Sequence, residues 1–447
     1  MIKSIFIFRR DFRVIDNTGW NKSIIDSDIV YPIFIFTPEQ ITNNPYKSNN
    51  SIQFFIESLL ELGKTINITY CYGNYIDVLT DIIKTNNISA IYTNTDYTPY
   101  AVKRDTNINK LAQTLEINFH ASHDITLYEP GTIRNQNDLI YQKYTPFYNK
   151  CLHIAVRKPK THIFNKIANA ITKYSITKDT IKTFYTINNL INIHGGRKNG
   201  LAILNSLEKF KKYDNTHNLL NINTTNLSAY LKFGCISIRE CYYKFVKLSG
   251  LILLRQLIWR EFYYHLGYGF IDRFGQSLKP KYDKIKWKNN MVLFNKWKNA
   301  QTGFPIIDAC MTQLNTTGYM HNRGRLIVSS FLIKNLHIDW RLGEKYFAQK
   351  LIDYDVLVNQ GNWQWVSGSG ADSQPYFRVF NPWRQSHKFD KDALYIKKWL
   401  PELKAIPSKH LHNWDEWYQN YTVIYHKPIV NYNKSKQITL KLYRSIY

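Results

Sequence analysis

Four segments in the C-terminal half concentrate tryptophan, arginine, asparagine and aspartate: LIWREFYYHLGYG from Leu257, TGYMHNRGR from Thr317, IDWRLGEKYF from Ile338 and LIDYDVLVNQGNWQWVSGSGADSQPYFRVFNP from Leu351. None contains a nucleophile–base pair, metal-ligand spacing or a phosphate loop, and GSG at Gly368–Gly370 reads as a turn. A single tryptophan there is explained by core packing, and a single Arg–Asp pair by an ordinary ion pair. Arginine interleaved with aromatic rings is also the composition that binds nucleic acid, since guanidinium meets phosphate and indole faces stack on bases. Four such segments together are harder to assign to packing alone.

The overall charge points the same way. Lysine and arginine number 59 against 33 acidic residues, a formal charge of +26. A field of that sign favours polyanions, nucleic acid first and a membrane surface second. A composition rich in Lys, Asn and Ile, of the kind an AT-rich genome produces, would give the same charge. Aromatic residues make up 15% of the chain, which strengthens the nucleic-acid reading.

Composition also excludes several classes. The 447 residues are 44% hydrophobic and suffice for two or three domains with a large core. The apolar patch Ile5 to Phe8 is cut short by Arg9, Arg10, Asp11 and Arg13, so it reads as a first strand and not a signal peptide. No apolar run approaches the roughly 18 residues of a membrane span, and a soluble intracellular protein is expected. Cys71, Cys151, Cys235, Cys241 and Cys310 form no C-x-x-C pair, which argues against disulfides, structural zinc and iron–sulfur clusters; no metal is expected.

The elements that must position these residues fall into two patterns. In the N-terminal third, short β-branched runs (Ile2–Phe8, Ile29–Phe36, Ile66–Cys71, Ile88–Tyr92, Ile117–His120) alternate with helical spacing (Ile52–Leu62, Ile76–Ile83, Val102–Leu115). That alternation predicts a doubly wound, Rossmann-like parallel sheet. RRDFRVIDN follows the first strand in place of G-x-G-x-x-G, so the dinucleotide fingerprint is absent. From Tyr128 to Arg197 the pattern weakens into a polar connection with a few helical turns. From Gly200 onward the chain reads as helical. Ser237 and Glu240 form a capping box, Gly250 ends that helix and Leu251 begins the next, and Pro305 suits a first helical turn. The expected organisation is an α/β domain over 1–127, a connection over 128–197 and an all-α domain over 198–447.

The four segments, together with FRRDFRVIDN (Phe8 to Asn17), YQKYTPFYNKCL (Tyr141 to Leu152), SAYLKFGCIS (Ser228 to Ser237) and KKWLPEL (Lys397 to Leu403), strongly resemble the photolyase/cryptochrome family over nearly the whole chain. The resemblance implies an antenna role for the N-terminal domain and a C-terminal domain that holds FAD. It places the pyrophosphate on Thr224, Thr225, Asn226, Leu227 and Ser228, with Tyr213 nearby; hydroxyls and backbone N–H groups at a helix start suit an anion. Arg260, Arg325, Asp353, Asp355 and Asn359 match the surroundings of the flavin ring and ribityl chain. Arg325 and Asp353 resemble the pair lying across the flavin, where a fixed cation offsets charge on its reduced form. Asn359 matches the residue facing flavin N5. Trp363, Trp340 and Trp287 match an electron-transfer chain, for which the readily oxidised indole is suited.

The lesion site implied by the resemblance comprises Gln256, Trp259, Asn322, Arg323, Leu326, Trp365 and Arg378. Trp259 and Trp365 would stack on a flipped dinucleotide, Gln256 and Asn322 would read base edges, and Arg323 and Arg378 would meet phosphate. The implied partner is ultraviolet-damaged DNA bound without sequence preference by a monomer. A second, antenna chromophore of folate or deazaflavin type is also implied.

Within the family the signals divide. Asn226 stands where Arg is common, Gln256 where most cyclobutane-dimer enzymes have Glu, and Leu326 where Met is common. Gln256 and YLKFGC lean towards the (6-4) photolyase and animal cryptochrome branch, and NRGR and DYDV towards the DASH group. Trp365 speaks against DASH, while PYFRVFNP and KFD resemble class I cyclobutane enzymes. The (6-4) branch supplies an acid from two adjacent histidines and a third four residues later. Here only His321 remains, with Asn322 and Leu326 at the other two positions. The expectation is therefore a class I-like enzyme that splits cyclobutane pyrimidine dimers with light and reduced FAD. A (6-4) photolyase and a cryptochrome-like blue-light receptor are the rivals; the end at Tyr447, soon after the resemblance, speaks against a signalling extension.

Overall fold

The computed structural model describes residues 1–162, 166–248, 252–373 and 375–446. The chain forms two compact units. The first comprises Met1–Asn188, Ile193–Lys211 and Asn226–Ile271; the second comprises Asn189–Asn192, Lys212–Thr225 and Asp272–Tyr447.

At the centre of the first unit lie five parallel strands, β1 (Lys3–Ile7), β2 (Ile29–Phe36), β3 (Thr69–Tyr72), β4 (Ala90–Asn94) and β5 (Asn118–Ser122), in the order β3-β2-β1-β4-β5. The near-continuous apolar run of β2, IVYPIFIF, belongs to a strand buried on both faces. Ile5 of β1 pairs with Tyr31 on one side and Ile91 on the other, which fixes the register at the middle of the sheet. Helices form at the three expected places but start earlier, over Asn49–Leu62, Tyr75–Asn86 and Pro99–Thr114, because each begins where a side chain caps it: Ser48, Asn74 and Thr98. A further helix, Thr18–Asp26, starts directly after the polar RRDFRVIDN segment, whose last residue, Asn17, caps it by accepting a hydrogen bond from the Trp20 N–H.

The segment after Ser122 adds the helix Tyr144–Leu152 and touches the sheet through bridges of Val30 with Ile167 and Cys71 with Ser175. The capping box at Ser237 and Glu240 opens the helix Ile238–Lys247. Gly250 and Leu251, read from sequence as a helix stop and the next start, lie outside the described residues; the next helix is described over Ile252–Gly269. Arg239 ties this part of the chain to the sheet, with Nε donating to Asp16 and Nη2 to Asp124, both at 2.6 Å.

The second unit is helical, and among the described residues no strand follows Ser122. Pro305 occupies the first turn of Pro305–Thr317, as expected, and Gly318 ends it at φ +70°. Asn322–Lys334, Trp340–Lys350 and Val356–Ser367 pack around a core holding Trp297, Trp340, Trp363, Trp383 and Trp414. Gly368 ends the last of these in the left-handed region, so the GSG segment is a turn. All five cysteines are free and buried.

Candidate flavin and DNA sites

In the first unit, one stripe of the Ile252–Gly269 helix carries Gln256, Trp259 and Arg260, three and four positions apart and therefore on one face. Leu254, Leu257 and Ile258 turn away from that stripe and are buried. Gln256 is exposed. Trp259 is half-buried and stacks on Tyr144, with ring centroids 3.7 Å apart and planes at 4°. Tyr144 holds this position by donating its hydroxyl to the Arg255 carbonyl at 2.8 Å. Arg260 donates to the Ile125 carbonyl at 2.7 Å and lies over the Tyr264 ring.

Asn226 adopts φ +53°, and its Oδ1 is buried without a hydrogen-bond partner. Leu227 sits at the N-cap of Ser228–Lys232 and offers no side-chain cap. A half-buried amide whose NH2 and C=O ends can exchange by a flip, at the start of a helical turn, suits an anionic group.

In the second unit, Thr224 shares a 2.9 Å hydroxyl hydrogen bond with Tyr319. Tyr213 begins the short helix Tyr213–Thr216, and burial pushes its hydroxyl pKa up to about 12. Thr225 follows Thr224 and is half-buried. Arg325 donates to both carboxylate oxygens of Asp353 at 3.1 and 3.0 Å and anchors its Nε on the Met320 carbonyl at 2.8 Å. Asp355 is buried at the N-cap of Val356–Ser367, yet its carboxylate makes no capping bond. Asn359 donates its amide to the Glu344 carboxylate at 2.9 Å, and Tyr354 donates to the same oxygen at 3.3 Å. Burial raises the Glu344 pKa. With its NH2 engaged, Asn359 presents its carbonyl oxygen as the available acceptor.

Trp363 and Trp340 are both buried in the core, while Trp287 packs at its margin, half-buried, with its ring 6.0 Å from Tyr443. Gly343 makes room for Trp363: a Cβ there would come within 2.2 Å of the indole. Asn322 is exposed at the start of Asn322–Lys334. Its N-cap is His321, whose Nδ1 accepts from the Arg323 N–H at 3.0 Å. Burial, then the nearby Arg325 and Arg323 charges, lowers the His321 pKa to about 4, and its Nε2 has no partner. Arg323 donates twice to the Asn218 carbonyl oxygen, at 3.1 and 2.6 Å, and lies over the Phe389 ring. Leu326 and Trp365 are half-buried against the core. Arg378 is exposed, with its backbone carbonyl held by the Lys334 ammonium at 2.9 Å.

The structure thus brings Gln256, Trp259 and Arg260 together, and separately Arg325, Asp353, Asn322 and Arg323. Residues that sequence reasoning missed are Tyr144, Asn218, Glu344 and Lys334. Tyr144 lies within the quoted YQKYTPF motif, and a buried glutamate in IDWRLGEKYF was a usable signal for Glu344; the other two carried none.

The sheet reverses its strand order between β1 and β4, the point at which doubly wound sheets bind ligands. Beyond those strand ends Arg9 pairs with Asp105 at 2.9 Å, and Arg104 lies over the rings of Tyr75 and Tyr100. Arg9 Nε and Arg104 Nη2 are buried without hydrogen-bond partners, a donor set that fits an anionic group.

Residues 4–163 match the DNA photolyase family model, and residues 253–445 match the FAD binding domain of DNA photolyase. A protein of Buchnera aphidicola named deoxyribodipyrimidine photo-lyase is 36% identical over 99% of this chain and 97% of its own length. The chain belongs to the photolyase/cryptochrome family and carries that family's FAD-binding domain. Among solved structures, an archaeal photolyase from Sulfolobus tokodaii, described with two FAD molecules, is 38% identical, with TM-score 0.90 over 99% of this chain and all of that one. A Synechocystis cryptochrome is 26% identical with TM-score 0.90 over 99% of both chains.

Among the described residues there is no group of side chains that could hold a metal ion and no helix long and apolar enough to cross a membrane.

Proposed function

We propose that this protein is a cyclobutane pyrimidine dimer photolyase: a light-driven carbon–carbon lyase acting on ultraviolet-damaged DNA. The relatives that share its full length carry the name deoxyribodipyrimidine photo-lyase, and the described side chains fit the cofactor that this chemistry needs. Reduced FAD, when bound and excited, supplies an electron to the dimer and recovers it once the ring has opened.

The chain's own residues have these proposed roles. Thr224, Thr225, Asn226, Leu227 and Ser228, with Tyr213, hold the pyrophosphate through hydroxyls and backbone N–H groups. Arg260, Arg325, Asp353 and Asp355 surround the ring and ribityl chain, and the Arg325 guanidinium offsets negative charge. Asn359 meets the ring with the carbonyl oxygen that Glu344 leaves exposed. Trp363, Trp340 and Trp287 relay charge outward, from two equally buried indoles to the half-buried Trp287. Trp259 and Trp365 stack on the extruded bases, Gln256 and Asn322 hydrogen-bond their edges, Leu326 packs beside them, and Arg323 and Arg378 meet phosphate. Two N–H groups of Arg323 are already on Asn218, so its remaining ones would meet the phosphate.

An antenna chromophore with an anionic group is proposed for the β1–β4 switch point, of folate or deazaflavin type or, as in the Sulfolobus protein, a flavin. The proposed functional division is 1–127, 128–197 and 198–447; the family models span 4–163 and 253–445, and residues 1–188, 193–211 and 226–271 form one compact unit. The protein acts as a soluble intracellular monomer.

One observation carries the choice of lesion. Repair of a (6-4) lesion needs an acid to move a hydroxyl or amine between bases. The only histidine of this segment, His321, is buried as an N-cap and neutral with a pKa of about 4, while Asn322 and Leu326 are no acids. Cyclobutane splitting needs no such acid. Illuminating the reduced holoenzyme with oligonucleotides carrying one lesion each should repair the cyclobutane dimer and leave the (6-4) lesion intact. Efficient (6-4) repair with none of the cyclobutane dimer would overturn the assignment.

A further inference from the structure

Trp259, assigned to the extruded bases, is covered on one face by a second aromatic ring. Tyr144 lies parallel to the indole, with centroids 3.7 Å apart and planes at 4°. The other rings against Trp259 meet it differently, Phe262 edge-on at 82° and Tyr263 tilted at 32°. Buried aromatic pairs favour offset or edge-to-face arrangements. Centroids this close leave little room for an offset, so the tyrosine covers nearly one whole face of the indole. Tyr144 is itself buried, at 4% exposure, whereas Trp259 is half-buried. The accessible part of the indole therefore lies away from Tyr144.

The grip has two points. The Tyr144 hydroxyl donates to the Arg255 carbonyl at 2.8 Å. In an α-helix that carbonyl also accepts the N–H of residue 259, and it has a lone pair for each. One tyrosine thus fixes both the plane of the indole and the backbone turn that carries it. Burial raises the Tyr144 pKa, so the hydroxyl stays a donor. The tyrosine is anchored in turn by its own helix, Tyr144–Leu152, in which Phe147 and Tyr148 are buried. Phe147 and Tyr144 both meet Phe262, at 5.4 and 5.9 Å between centroids. Tyr148 lies 5.8 Å from Tyr144 and carries the Arg255 guanidinium over its ring at 5.2 Å.

We infer that Tyr144 is a positioning residue for lesion recognition: it clamps the Trp259 indole flat and leaves a single face for an extruded pyrimidine. The inference rests on the proposed stacking of Trp259 on the extruded bases. An indole free to turn about its side-chain bonds would have to be immobilised on binding, and one already clamped avoids that cost. Undamaged duplex keeps its bases stacked within the helix and gains nothing from the clamp. Tyr144 therefore contributes to the discrimination of damaged from undamaged DNA and not to general affinity.

The test is a double-mutant cycle on the holoenzyme. It reads affinity for a duplex with one central cyclobutane dimer and for the same duplex undamaged. Tyr144→Leu should weaken dimer binding roughly three- to tenfold, the cost of immobilising one side chain, and leave undamaged duplex unchanged. Tyr144→Phe keeps the ring and loses only the hydroxyl bond, so it should restore most of the affinity. In a Trp259→Ala background, Tyr144→Leu should cause no further loss, because it acts through the indole. A residue that merely fills the core would cause the same loss with or without Trp259. Should Tyr144→Leu fail to retain flavin, Tyr144→Met, whose flexible side chain adapts to the space left by the ring, takes its place in the cycle. Parent-like dimer affinity in that variant, an equal loss in both backgrounds, or an equal loss on undamaged duplex would overturn the inference. Unchanged dimer affinity in Trp259→Ala would instead strike the lesion contact of Trp259 itself, and the inference with it.

Discussion

In the first unit, Arg13 and Arg239 are buried to about 2% exposure, each paired with fully buried carboxylates. Asp124 accepts from Arg13 at 2.5 Å and Arg239 at 2.6 Å, and Thr18 adds its hydroxyl and backbone N–H. Asp16 takes Arg239, Arg157 and Ser237. In the second unit, Lys334 is equally buried, yet among the described residues its ammonium reaches a single backbone carbonyl, that of Arg378, and no carboxylate. The first arrangement closes its charges on one another and joins chain segments more than 200 residues apart. The second leaves a cation under-compensated beside a surface assigned to a polyanion. A cation network that serves folding alone can be neutralised internally; one that serves an anionic ligand must retain net charge.

The largest expected effect comes from breaking the closed network. Asp124→Asn removes the carboxylate shared by two buried guanidinium groups and should cost about 3–5 kcal/mol, the usual penalty for leaving a buried charge without its partner. Thermal unfolding measures it. The two arginines hold the Asp124 pKa well below the ordinary 3.8 despite its burial. A depressed carboxylate stabilises the folded state above its unfolded pKa, and that contribution fades as pH falls through the folded value. The Asn variant should therefore lose part of the acid sensitivity of the parent. A variant as stable as the parent at neutral pH would mean that the network contributes nothing.

Much of this contrast was hidden in the sequence for a physical reason. The five strands were legible because parallel strands buried on both faces must be apolar throughout, as in IVYPIFIF. The capping box at Ser237 and Glu240 was legible because both partners lie within one helical turn. The roles of Asp16 and Asp124 depend on Arg239, 223 and 115 residues away, and no local pattern encodes such a pairing. The same holds for the candidate sites. The types at Arg325, Asp353 and Asn359 were readable from motifs, whereas the Tyr144 stack on Trp259 joins two separate motifs, and Asn218 beneath Arg323 lies in none. Lys334 reads as an ordinary last-turn lysine that should favour the helix C-terminus; only packing shows it buried.

Lys334 sharpens the comparison from the other side. Burial first, and then the Arg378 charge, lowers its pKa from 10.5 to about 7. Below about 7 the folded and unfolded states both hold the proton, and the full cost of burying the charge is present. Between about 7 and 10.5 the unfolded state binds more protons, so stability rises with pH. Lys334→Met should abolish that rise and leave the protein at least as stable near neutral pH, since an apolar side chain of similar length fills the space. Melting temperatures of both proteins across that range decide it. A parallel alkaline rise in the Met variant would assign the effect to other groups.

The smallest expected effect concerns a position where charge is missing altogether. Gln256 is exposed on the helix face it shares with Trp259 and Arg260. A neutral amide hydrogen-bonds base carbonyls through its NH2, but it brings no negative charge to hold the protonatable or N–H edge of an extruded pyrimidine. A charge-assisted hydrogen bond exceeds a neutral one by about 1 kcal/mol, which corresponds to a few-fold and at most about tenfold in rate. In contrast to the Asp124 network, Gln256 lies at the surface, so adding charge there costs little desolvation and leaves stability unchanged. Gln256→Glu should therefore raise repair per absorbed photon by a few-fold at saturating substrate, without shifting the melting temperature. It should also weaken binding of undamaged duplex slightly, because the new carboxylate repels phosphate. A variant with unchanged repair and unchanged binding would place Gln256 outside the lesion contact, whereas lower repair at full affinity would mean that the amide NH2 itself holds the bases.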